Sequence, residues 1–95
     1  MSAETQYLPS NHASSGQVHD GPGWVKHFHL VSSGTAGTIV FKDGGSSGDV
    51  VATYDTPAVA EGDEVNIPGA GLRFEDSIYM ELTNADGVTV HYRKT

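Results

Sequence analysis

The residues best equipped for chemistry are the five histidines, an unusual number for 95 residues. His27 and His29 are separated by one residue in an aromatic, β-branched run. In a strand, side chains at i and i+2 share a face, so both imidazoles can turn toward one metal ion. A full site needs further ligands, from His91, from an acid on another strand or from another copy of the chain. The other reading of the same spacing is a solvent or subunit-contact face opposite Phe28 and Leu30. His12 and His19 lie in a polar N-terminal stretch and are expected to be solvated.

The acids are less specific. Asp43 and Asp49 bracket a glycine-rich loop, and Glu61, Asp63 and Glu64 cluster in another. Oxygen-rich loops can hold calcium, but this spacing matches no EF-hand. Glu75 and Asp76 are neighbours, and neighbours on a strand point to opposite faces, a poor geometry for paired-carboxylate hydrolysis. The chain has no G-x-S-x-G nucleophile elbow, and its GGSSG loop lacks the lysine and helix of a phosphate-binding loop. No cofactor is implied, and catalysis is not the expected role. Trp24 and Tyr54 remain as aromatics that can stack on sugars or anchor a protein interface. Trp24 follows Gly21-Pro22-Gly23 and is expected first to cap the edge of the core.

The elements that must carry these residues are short. A chain of this length forms one domain with a thin core, which favours assembly with itself or with a partner. It has no cysteine, so disulfides and cysteine-ligated metals are excluded. The formal net charge is −7, with five scattered basic residues, Lys26, Lys42, Arg73, Arg93 and Lys94. Without a basic stripe, neither nucleic acid nor an anionic membrane is an expected partner. No apolar run approaches the roughly 20 residues of a spanning helix, and no signal peptide is recognisable.

Residues 1–22 are rich in Ser, Gly, Asn and His, with isolated apolar residues. They are expected to form a flexible arm, with Tyr7, Leu8 and Pro9 as the point that docks on a partner. Residues 23–95 are expected to form the folded domain. Strands are predicted over 24–31, 38–42, 49–55, 64–67, 71–74, 77–83 and 88–93, separated by turn residues such as Asp43-Gly44-Gly45 and Pro68-Gly69. Ile78, Met80 and Leu82 alternate with polar residues, as do Val88, Val90 and Tyr92, and Asp86-Gly87 between them predicts a hairpin. No helix survives the prolines and glycines. The pattern predicts an all-β fold, a small antiparallel β-sandwich or jelly-roll-like barrel with an extended N-terminal arm.

The runs Thr38-Ile39-Val40-Phe41-Lys42-Asp43-Gly44-Gly45, Asp55-Thr56-Pro57, Ile67-Pro68-Gly69-Ala70-Gly71-Leu72-Arg73-Phe74 and Ile78-Tyr79-Met80-Glu81-Leu82 resemble small structural proteins of tailed bacteriophages. The resemblance spans about residues 24–92. It implies a virion component made in the host bacterial cytoplasm: a capsid decoration or cement protein, or a head–tail accessory. The implied partners are copies of itself, commonly as a homotrimer, and the major capsid protein or another virion protein. A different class of expectation is a small module that recognises carbohydrate or another surface through Trp24, Tyr54 or His27.

Overall fold

The computed structural model describes residues 7–69 and 71–94. These build nine strands: β1 (Leu8–His12), β2 (Gly16–His19), β3 (Gly23–Ser32), β4 (Gly37–Asp43), β5 (Asp49–Thr56), β6 (Gly62–Asn66), β7 (Leu72–Phe74), β8 (Ile78–Thr83) and β9 (Ala85–Lys94). The protein is all-β, and two antiparallel sheets form a sandwich. One sheet runs β1-β9-β3-β6, with β7 also pairing β3; the other runs β2-β8-β4-β5.

Alternation of side chains across each strand puts one apolar row from each sheet into the space between them. The first sheet contributes Val25, Phe28, Leu30, Phe74, Val88 and Val90, and the second contributes Ile39, Phe41, Ile78 and Met80, all buried. Phe41 lies at the centre, meeting Phe28 at 5.4 Å, Tyr54 at 6.1 Å and Phe74 at 6.2 Å edge-on. Such edge-to-face pairs add to the burial of the rings themselves. Ser32, also buried, ties the 57–61 loop to the end of β3: its hydroxyl accepts the Glu61 N–H at 3.1 Å and donates toward the Val59 carbonyl.

One expectation about connectivity is corrected. Ile78–Thr83 and Ala85–Lys94 do not pair as a hairpin; β8 and β9 belong to opposite sheets. The chain crosses the sandwich at Asn84, whose φ of 56° makes the corner and whose side-chain amide donates to the Ala36 carbonyl at 3.1 Å. Gly87 lies inside β9, opposite Val31. Alternation looks the same whether two strands pair side by side or face each other across a core, so the pattern did not distinguish them.

The division at residue 22 does not follow the sheet pairing. Residues 1–6 of the expected arm lie outside the described residues, but Leu8–His12 pair with β9 and Gly16–His19 with β8. Val18 is buried in the core. The Ser15 hydroxyl accepts the Leu82 N–H at 2.8 Å, fastening the turn between β1 and β2 to the second sheet. These two strands lie at the same side of the sandwich, one on the edge of each sheet. Edge strands are short and polar and carry little apolar periodicity. Pro9, which has no N–H to give, is tolerated there.

Candidate functional site

The outer face of the β1-β9-β3-β6 sheet carries Trp24, His27, His29 and His91, and a β-bulge in β3 sets Trp24 and His27 on the same side. The β3–β9 register shifts between Val25 and His27, leaving Lys26 as the extra residue. In a regular strand Trp24 and His27, three apart, would face opposite sides. The bulge puts both on the outer face while Val25 and Phe28 both point inward and are fully buried. Lys26 is also where β3 changes partner, from β7 over residues 23–25 to β6 over residues 27–31. Its carbonyl accepts the Ile67 N–H at 2.9 Å, and its ammonium donates to the carbonyls of Ile67 and Gly69, holding the turn between β6 and β7.

At Gly71 this turn comes against β3. The residue has φ of 93°, and a Cβ there would stand 2.4 Å from the Val25 carbonyl oxygen. Glycine alone accepts both the conformation and the approach. The result is the register Trp24↔Arg73 on one side of β3 and Trp24↔Arg93 on the other. The guanidinium carbon of Arg73 lies 5.0 Å from the Trp24 ring centre and that of Arg93 lies 5.6 Å from it. Arg93 also lies 5.9 Å from the Tyr7 ring. Tyr7, Arg93, Trp24 and Arg73 thus form one row across the sheet, alternating aromatic ring and cation. Stacking of this kind is worth about 0.5–1 kcal/mol per pair at an exposed site.

The next row holds the histidines. His27 and His91 face each other across β3 and β9 and stack with centroids 5.0 Å apart and rings 8° from parallel. Glu64 Oε1 approaches His27 Nε2 at 3.6 Å, and that nitrogen is buried without a hydrogen-bond partner. His29 lies over Gly62, on the same face as His27. The shared face expected for His27 and His29 is therefore present, and on it the His27 ring lies flat against that of His91. Among the described residues no group of three His, Asp or Glu side chains is placed to hold a metal ion. Further along, the Thr89 hydroxyl donates to the Asn11 side-chain oxygen at 3.1 Å.

Of the expected contact residues, Tyr7 and Pro9 are exposed, Leu8 is half-buried opposite Tyr92, and Trp24 is half-buried on the outer face. Trp24 does not cap the core. Tyr54 is not a surface aromatic: its ring packs on Phe28 at 5.1 Å, and burial pushes its hydroxyl pKa up. Asp43, at the start of the glycine-rich loop, serves the fold. Asp43 accepts the backbone N–H groups of Glu75 at 3.0 Å, Asp76 at 2.9 Å and Ser77 at 3.3 Å. Sequence reasoning missed Arg73 and Arg93 as site residues, because only the β3 pairing on both sides brings them to Trp24.

No family model matches the chain, and no curated protein matches it. Among solved structures it is similar to a carbohydrate-binding module from Cellvibrio mixtus lichenase 5A in complex with cellotriose, at 22% identity and a TM-score of 0.39. That match covers 93% of this chain and 66% of the module's chain.

Proposed function

We propose that this is a non-catalytic recognition domain that binds carbohydrate on the outer face of the β1-β9-β3-β6 sheet. The observation that carries this reading is the row Tyr7-Arg93-Trp24-Arg73, an aromatic and guanidinium surface presented away from the core. A sugar ring has an apolar C–H face and a rim of hydroxyls. Aromatic and guanidinium planes suit the first, and fixed N–H donors and polar side chains such as Asn66 and Asn11 suit the second. Nothing in the proposed role needs a proton to be moved or a bond broken. Affinity electrophoresis through gels containing soluble polysaccharides tests it: at least one polysaccharide retards the protein, and Trp24→Ala abolishes the retardation. Equal mobility in every gel overturns it.

A second reading is assembly on a virion as a homo-oligomer, the role that the resemblance to phage proteins implies. It is favoured by the exposed Val50 and Val59, at 59% and 58% exposure, on the edge strand β5 and in the loop that follows it. Light scattering on the purified protein tests it; a trimer supports it, and a monomer at all concentrations counts against self-assembly in solution.

A further inference from the structure

The five basic residues are distributed with a purpose that their sequence positions hide. Lys42 is paired with Glu81 at 2.8 Å. Lys26 is spent on two backbone carbonyls. Lys94 stands exposed at the end of β9. The two arginines both lie against Trp24. Among the described residues neither arginine forms an ion pair, in a chain with twelve Asp and Glu. Carboxylates are abundant in the chain, yet among the described residues none pairs with either guanidinium.

Stacking occupies the flat face of a guanidinium and leaves its N–H donors free in the plane. Those donors form a fork that matches a carboxylate in two parallel hydrogen bonds. The arginines come from the strands on either side of β3, so their backbones stand roughly 10 Å apart, two strand spacings. At that separation they serve two anionic groups along one chain better than they chelate one. The protein's net charge of −7 opposes any polyanion at long range. Salt screens that repulsion beyond roughly 8 Å at physiological ionic strength, so paired contacts at short range decide the outcome.

Building on the carbohydrate reading above, we infer that the ligand is an acidic polysaccharide whose uronate-type carboxylates are taken by Arg73 and Arg93, with Trp24 and Tyr7 stacked on the guanidiniums and holding them in place.

The test uses the full chain with polygalacturonate, alginate and hyaluronate, each beside its carboxyl-reduced neutral counterpart, and with cellohexaose and polyglutamate. Dissociation constants come from calorimetry at physiological salt. The expected result is binding to at least one uronate polymer, with about tenfold or greater loss on carboxyl reduction and on either Arg73→Gln or Arg93→Gln, the scale of one charge-assisted hydrogen-bonded contact. Arg73→Lys, which keeps charge and loses the fork, is expected to fall between. Lys94→Gln, the same charge change off the row, binds as the parent does. Thermal melts identify any variant that fails to fold, and the reduced polymers on the unaltered protein decide the question independently of the variants. Equal binding to acid and reduced forms, or binding to cellohexaose alone, overturns the inference and leaves the carbohydrate reading standing. Binding to polyglutamate as tight as to uronates overturns it in favour of unspecific anion attraction. Binding to no polysaccharide overturns both.

Discussion

Trp24 and Arg93 stand opposite each other in the β3–β9 ladder, with the guanidinium carbon 5.6 Å from the indole centre on the solvent side of the sheet. Arg73 completes the arrangement from the other flank at 5.0 Å. The row depends on the bulge at Lys26 and on the close approach of Gly71, so residues distant in sequence are set by backbone geometry before any ligand arrives.

Trp24→Ala and Tyr54→Ala separate binding from stability. Trp24 lies on the outer face, and its loss removes two cation–π contacts, a cost of about 1–2 kcal/mol, together with ligand binding. Tyr54 packs on Phe28 and Phe41. Its loss costs about 3 kcal/mol, since it opens a gap beside a buried aromatic cluster, and leaves the affinity of the folded protein unchanged. Urea unfolding and ligand titration of both variants check this; weakened binding in Tyr54→Ala at full folding would contradict the placement of the site.

Gly71→Ala tests the backbone approach. A Cβ 2.4 Å from the Val25 carbonyl oxygen cannot be accommodated by a side-chain shift, because the obstacle is backbone. The substitution is expected to cost about 1–3 kcal/mol, as backbone strain of this kind does, and to loosen β7 so that Arg73 leaves Trp24. Amide exchange should rise at residues 72–74. Parent-like exchange there would show that β7 does not depend on the glycine.

Acid should weaken the fold in two stages. Burial lowers the His12 pKa from its ordinary 6.5, so the folded state resists protonation there. That contribution is complete above 6.5 and is lost as pH falls through the lowered folded value. For Asp43, burial pushes the carboxyl up, but the amide hydrogen bonds from Glu75, Asp76 and Ser77 outweigh it and hold it below the ordinary 3.8. Its contribution is present above 3.8 and is lost as pH falls through its lower folded value. Melting temperatures followed from pH 7 downward should show both losses, with Asp43→Asn flattening only the second. An Asp43→Asn profile that keeps the second loss would assign it to other carboxylates.

Much of the fold was legible because strand signals are local. Trp24–Val31, Thr38–Lys42 and Asp49–Asp55 each fall within a strand of the structure, extended by a residue or two. Connectivity was not legible. Ile78 and Val90 alternate as hairpin partners would, yet they fill the core from opposite sheets. Leu8–His12 gave no apolar period because an edge strand with Pro9 and Asn11 facing out needs little. The site was half legible: His27 and His29 do share a face, as a two-residue spacing requires. Trp24, expected at the core edge because it follows Gly21-Pro22-Gly23, lies on the outer face, since the one extra residue at Lys26 sets it out of phase with Phe28. Arg73 and Arg93 were invisible, since their meeting at Trp24 is a property of register.

The chain has a single tryptophan, so its indole N–H gives one resonance, and it lies in the row at issue. The most direct test is a two-dimensional NMR titration of the labelled protein with oligosaccharides from a polysaccharide that retards it in gels. The account predicts that the indole resonance moves with the amides of Tyr7, Arg73, His91 and Arg93, while those of the opposite sheet stay still. Shifts confined to β5 and the 57–61 loop, or an unmoved indole with ligand bound, would contradict it.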